Sequence, residues 1–125
     1  MPNYIYKNFL SIKKKLKKFS ILIVGVAYKK NIDDARESPA LRFIDLLTKD
    51  KIKFKYYDPY IKKLKYRSKI IKSSKLNFLK KTKNCISIII TDHDNIDFKL
   101  IKKHSRFIID TRGKYIPDGE KIVSF

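Results

Sequence analysis

Two short runs, "ILIVGVA" at positions 21–27 and "CISIIIT" at 85–91, are apolar and largely β-branched, with almost no polar residue interrupting them. A strand that reads this way is covered on both faces rather than on one. Helix-period segments lie between and after the runs. Ser38 has the chemistry of an N-cap and Pro39 that of a first helical residue, and Ala40, Leu41, Ile44 and Leu47 then recur at helical spacing up to Thr48. "KFKYYDP" reads as a second strand stopped at Asp58-Pro59, "DFKLIKK" as a short helix and "RFIID" as the last strand, while the stretch between holds a short strand near Ile70 and a helix around 76–81. Parallel neighbours need crossover connections, so strands that alternate with helices give a parallel sheet with helices on both faces.

Ahead of the first strand, Ile5, Phe9, Ile12, Leu16 and Phe19 alternate at steps of four and three with lysines between them, the pattern of one amphipathic helix over residues 1–19. The expected fold is therefore α/β: a Rossmann-like parallel sheet over 20–125, preceded by that helix. At 125 residues the chain has the size of one domain. An apolar stripe on a basic helix packs against protein. If its partner lies outside the chain, the stripe is a route to homo-oligomers.

Charge narrows the partners. Lys and Arg outnumber Asp and Glu by 31 to 12, a net +19, which ordinarily points to nucleic acid or an anionic surface. Only five of the 31 cations are arginines, the residue that supplies planar, bidentate recognition; the 26 lysines run along the whole chain. Diffuse lysine gives salt-sensitive attraction to anions, so nucleic acid is not the expected partner. The single Cys85 sits inside an apolar run, which leaves no disulfide or cysteine-based metal site and suits a buried, inert thiol in the cytoplasm. No apolar run reaches the length of a bilayer span, and the basic N-terminus lacks the apolar core of a signal peptide.

Ligands of open α/β sheets lie outside the carboxyl ends of the strands. Three polar stretches fall there, "YKKNIDDARES", "TDHDNID" and "DTRGK", and should share one rim. Lys29, Lys30, Arg36 and Arg112 then converge on an anionic ligand, with Gly25 and Ala27 leaving room for it beside the backbone. His93 and His104 are expected as solvated loop residues. With three glycines in all there is no G-x-G-x-x-G, so phosphate charge would be met mainly by side chains.

"GVAYKKNIDDARESPALRFIDLL", followed in order by "YYDPY", "TDHDNID" and "IIDTRGK", resembles the C-terminal UDP-binding domain of the UDP-glucose/GDP-mannose dehydrogenase family, and most closely its bacterial UDP-N-acetyl-hexosamine 6-dehydrogenase branch. The opening "MPNY" resembles the end of that family's central helical domain, which makes 1–19 a linker helix and 20–125 the UDP-binding domain. The resemblance implies an NAD-dependent oxidation of a UDP-sugar to a UDP-uronate, a polysaccharide precursor. Its NAD-binding and catalytic-cysteine domains have no counterpart in these residues, so no catalytic residue is assigned and the chain alone is expected to be inactive. Carried over by position, Tyr28 and Lys29 contact the UDP-sugar, Arg112 contacts the nucleotide-sugar from the last strand, and Arg36 reaches NAD held elsewhere. The other reading of the residues is a basic anion- or nucleic-acid-binding α/β module with no enzymatic role.

Overall fold

The computed structural model describes residues 2–124. Helix α1 spans Pro2–Lys13, strand β1 Ser20–Val24, helix α2 Pro39–Lys49 and strand β2 Lys55–Tyr57. A hairpin of β3 (Lys63–Tyr66) and β4 (Lys69–Lys72) and a 3-10 helix at Leu76–Lys81 precede β5 (Cys85–Ile89), α3 (Phe98–His104), β6 (Phe107–Asp110) and β7 (Ile122–Ser124). The main sheet runs β2-β1-β5-β6-β7 with every pairing parallel. The α/β expectation thus holds, with two additions. The antiparallel hairpin stands apart from the sheet, and β7 adds a strand beyond "RFIID".

Alternation along the strands divides the core. Ile21 and Ile23 of β1 join Ile86, Ile88 and Ile109 on one face, under α1 and α2. Leu22 and Val24 join Cys85, Ile89 and Ile108 on the other, under the 3-10 helix and α3. Burial on both faces is why these runs carry almost no polar residue. Helix α2 begins as expected: Ser38 accepts from the Ala40 N–H at 3.1 Å and Pro39 follows it. The Ser38 hydroxyl also donates to the Ala27 carbonyl, fastening the helix start to the end of the first strand.

The N-terminal helix is shorter than its periodicity predicts, ending at Lys13 rather than 19, because the chain must turn to enter β1 at Ser20. Leu16 and Phe19 nonetheless pack against the same core as Ile5, Phe9 and Ile12. The Tyr6 and Phe9 rings lie 5.5 and 5.9 Å from that of Phe43 on α2. The stripe therefore finds a partner inside the chain.

Candidate functional site

Strands β1, β5 and β6 are adjacent and parallel, so the loops that leave their carboxyl ends stand side by side. The three polar stretches share one rim, as expected. Each is laced to the next. Asn31 donates its side-chain amide to Asp94 at 2.7 Å, accepts from the Asp94 N–H at 2.9 Å, and stands next to Lys30, whose ammonium is 3.1 Å from the same carboxylate. Across the next gap, Asp92 takes Arg112 at 3.2 Å and Lys114 at 3.9 Å. Asp110, at the end of β6, accepts from the Arg112 and Tyr115 N–H groups and so shapes the loop that carries Arg112.

Beneath this lacing is a buried hub centred on Asp58, the residue that stops β2. One carboxylate oxygen accepts from the Val26 and Ala27 N–H groups at 2.8 and 3.2 Å and from His93 Nε2 at 2.9 Å. The other accepts from the Tyr60 and Ile61 N–H groups at 2.8 and 3.1 Å. His93 is wholly buried, a correction to its expectation as a solvated loop residue. Its Nδ1 accepts from the Asn31 N–H at 2.7 Å, so the ring hydrogen resides on Nε2 and points at Asp58. The chain Asp58–His93–Asn31 thereby fixes the loop after β1 from below. His104 closes α3, half-buried.

Gly25 also has a different reason from the one expected. Its φ is +85°, and a Cβ there would stand 2.2 Å from the Thr91 carbonyl oxygen; the space beside it is filled by the neighbouring strand end rather than left for a ligand. Thr91 completes the join by donating to the Ala27 carbonyl at 2.7 Å.

On this platform Tyr28 stands 54% exposed and Lys29 is exposed beside it. Tyr28, Asp34, Arg36 and Glu37 line one depression of about 370 Å³. Arg36 is engaged by Asp34 through two guanidinium nitrogens, Nη2 at 2.8 Å and Nε at 3.0 Å. That hydrogen-bonded guanidinium holds the Asp34 carboxyl down at about 2, so the pair stays ionised throughout the neutral range. Asp94 is likewise held below the usual carboxylate range by Asn31 and Lys30. Glu37, at φ 58°, occupies a backbone region that non-glycine residues seldom adopt, and it turns the chain from the depression into α2.

Tyr28 and Arg36 are thus brought to one depression, Lys29 follows Tyr28 on the exposed surface, and Arg112 stands on the third loop, held by Asp92. Among these groups there is an aromatic face and cationic charge but no nucleophile. Cys85 lies buried in β5, and burial pushes its thiol up to about 11. Among the described residues no cluster of His, Cys, Asp or Glu could hold a metal ion, and no helix is long and apolar enough to cross a membrane. The arrangement suits binding of an anionic ligand that carries a ring.

Comparison with known proteins points to one family. Residues 22–117 match the UDP binding domain of the UDP-glucose/GDP-mannose dehydrogenase family. UDP-N-acetyl-D-mannosamine dehydrogenase of Methanococcus vannielii is 32% identical over 124 residues, covering 90% of this chain and 27% of that protein. Its counterpart in Methanococcus maripaludis is 37% identical over 105 residues, covering 82% and 23%. The solved structure of the Pyrococcus horikoshii UDP-D-ManNAc dehydrogenase superposes with a TM-score of 0.71 at 26% identity, over 98% of this chain and 30% of that one. The Staphylococcus aureus UDP-N-acetyl-mannosamine dehydrogenase Cap5O gives 0.70 at 25%, over 99% and 29%. The chain spans about a quarter of the length of the curated relatives it matches. With most of its length matched to one family's domain, this chain belongs to the UDP-glucose/GDP-mannose dehydrogenase family and carries its UDP binding domain.

Proposed function

We propose that the rim binds the UDP portion of a UDP-N-acetyl-hexosamine for an NAD-dependent 6-dehydrogenase whose other domains supply the rest of the chemistry. The observation that carries this reading is the laced rim, which holds Tyr28 and Lys29 past the end of β1 and Arg112 past the end of β6, on either side of the β5 end and above a buried hub. Tyr28 offers a ring face to the uracil or sugar. Lys29 and Arg112 offer charge to the diphosphate. The relatives' names supply the sugar class. The whole reaction would take the C6 alcohol through an aldehyde to a carboxylate, reducing two NAD and consuming one water. This chain holds neither a glycine-rich NAD loop nor an available thiol, so its part is to hold the nucleotide still while chemistry proceeds elsewhere. Arg36 fits as an outlying contact to NAD, reached by exchanging Asp34 for a cofactor phosphate.

Calorimetric titration of UDP into the wild type and single variants tests the assignment. Lys29→Ala or Arg112→Ala should each weaken binding about 10- to 100-fold, the equivalent of one charge-assisted hydrogen bond. Arg36→Ala and the remote Lys17→Ala should leave UDP affinity within about twofold, since neither faces the diphosphate. Equal affinity in all five proteins, or equal losses in all four variants, refutes the site. NADH production from a UDP-hexose by this chain alone would refute the division of labour between domains.

A further inference from the structure

The positive charge is not evenly distributed. Between Asp58 and Asp92 the sequence has no acidic residue and ten cations, whereas elsewhere 12 acids accompany the remaining 21. Along the rim, Lys30, Arg36, Arg112 and Lys114 each face a carboxylate. In the acid-free stretch Arg67 alone does so, through Asp45, among the described residues.

Four of the unpaired lysines meet in one place. Lys62, Lys63, Lys72 and Lys75 line an open depression of about 650 Å³ whose apolar floor includes Tyr57 and Leu76. The hairpin register puts Lys63 directly opposite Lys72, on the same face of the ribbon. Like charges set opposite each other weaken a strand pair. The backbone around them is nonetheless held firmly. The Ser73 N–H donates to the Lys62 carbonyl at 2.9 Å, the Ser73 hydroxyl accepts from the Asp58 N–H at 3.0 Å, and the Ser74 N–H donates to the Tyr56 carbonyl at 2.7 Å. Asp58, which also lines the depression, is turned toward its five donors and forms no ion pair with these lysines. Four lysines with no ion-pair partner among the described residues therefore line one concavity with Tyr57 and Leu76, against a single buried carboxylate.

We propose that this depression, at the end of β2, is a second ligand site that binds a nucleoside polyphosphate, with the phosphates among the four lysines and the ring on Tyr57 and Leu76. A concave, rigid cradle favours a compact polyanion over a flat surface or a long polymer. The site is separate from the Tyr28–Lys29–Arg112 rim and does not depend on the assignment of UDP there.

The test is calorimetric titration of ATP, AMP and inorganic tripolyphosphate into the full chain near physiological salt. ATP and tripolyphosphate should each saturate one site, ATP more tightly because of its ring, and AMP at least about tenfold more weakly than ATP because it brings less charge. K63Q/K72Q should lower ATP affinity about tenfold or more, while K14Q/K17Q, which removes the same charge from the exposed surface before β1, should change it by less than about twofold. Because the two lysines repel in the free chain, K63Q alone should raise the thermal midpoint by about 1–3 °C while weakening ATP. Any of three results overturns the proposal: no saturable ATP binding, equal losses in the two double variants, or a K63Q chain that loses stability along with binding.

Discussion

Asp58→Asn tests whether the hub beneath the rim holds the fold as its geometry implies. The native carboxylate accepts five hydrogen bonds, three on one oxygen and two on the other, and its side chain is wholly shielded from solvent. Asparagine keeps one acceptor oxygen and replaces the other with an NH2. The best placement leaves the oxygen facing Val26, Ala27 and His93 and turns the NH2 toward the Tyr60 and Ile61 N–H groups. Two buried donors are then left facing donors. At about 1–3 kcal/mol for each stranded group, the loss is about 2–6 kcal/mol. Total stability for a domain is about 5–15 kcal/mol, so this is a large fraction of it. Urea unfolding followed by circular dichroism reads the change directly: with a slope of about 2 kcal/mol/M the midpoint should fall by about 1–3 M. Asp94→Asn is the comparison, since its carboxylate also holds two partners but is two-thirds exposed; it should move the midpoint far less than Asp58→Asn does. An Asp58→Asn chain within about 0.5 kcal/mol of wild type would refute the reasoning, because it would mean that those N–H groups find other acceptors at little cost.

Gly25→Ala should lose about 1–2 kcal/mol for its left-handed backbone alone and more for the contact with Thr91, measured by the same unfolding assay; stability equal to wild type would contradict the close approach. Phe9→Ala should cost about 3–5 kcal/mol, because Phe9 is fully buried against α2; release of an oligomer without loss of stability would instead place its partner in another molecule. Cys85 should react with thiol reagents only as the chain unfolds, since at pH 8 a thiol held at about 11 is ionised in about one molecule in a thousand. Fast labelling of the native chain, measured by mass, would show that β5 opens locally.

The elements legible in the sequence were those whose own residues carry the signal. β1 and β5 show as continuous apolar runs because both faces are covered, and α2 shows through its cap, proline and spacing. The 76–81 segment, expected as a helix, is a 3-10 helix of two turns, a tightening that six residues of composition do not announce. β7 has three residues and exists through its register with β6 rather than through propensity. The hairpin was half seen near Ile70, since "KLKY" alternates charge and apolar bulk in a way that also fits an exposed turn. The rim followed from topology and the motifs, and Tyr28, Lys29, Arg36 and Arg112 stand on it. The Asp58–His93–Asn31 relay did not, because its partners are 35 and 62 residues apart and nothing local marks them. The available clue is positional: Asp58 comes directly after β2 and His93 four residues after β5, and a buried polar group near a strand end must find partners at the rim.

The pairing of β1 with β5 has a consequence for how the chain is made. Ser20 aligns with Cys85, so β1 waits for its second partner strand about 65 residues downstream. At about 5–20 residues per second of synthesis, "SILIV" has one edge unsatisfied for about 3–13 s after it is made. Apolar β-branched segments in that condition are the ones that join other chains. Lys13, Lys14, Lys15, Lys17 and Lys18 precede the strand, and Lys29 and Lys30 follow it. Mutual repulsion between these clusters keeps two nascent chains from aligning their exposed strands, so part of the lysine load acts before any ligand is met, as a guard on an unfinished sheet.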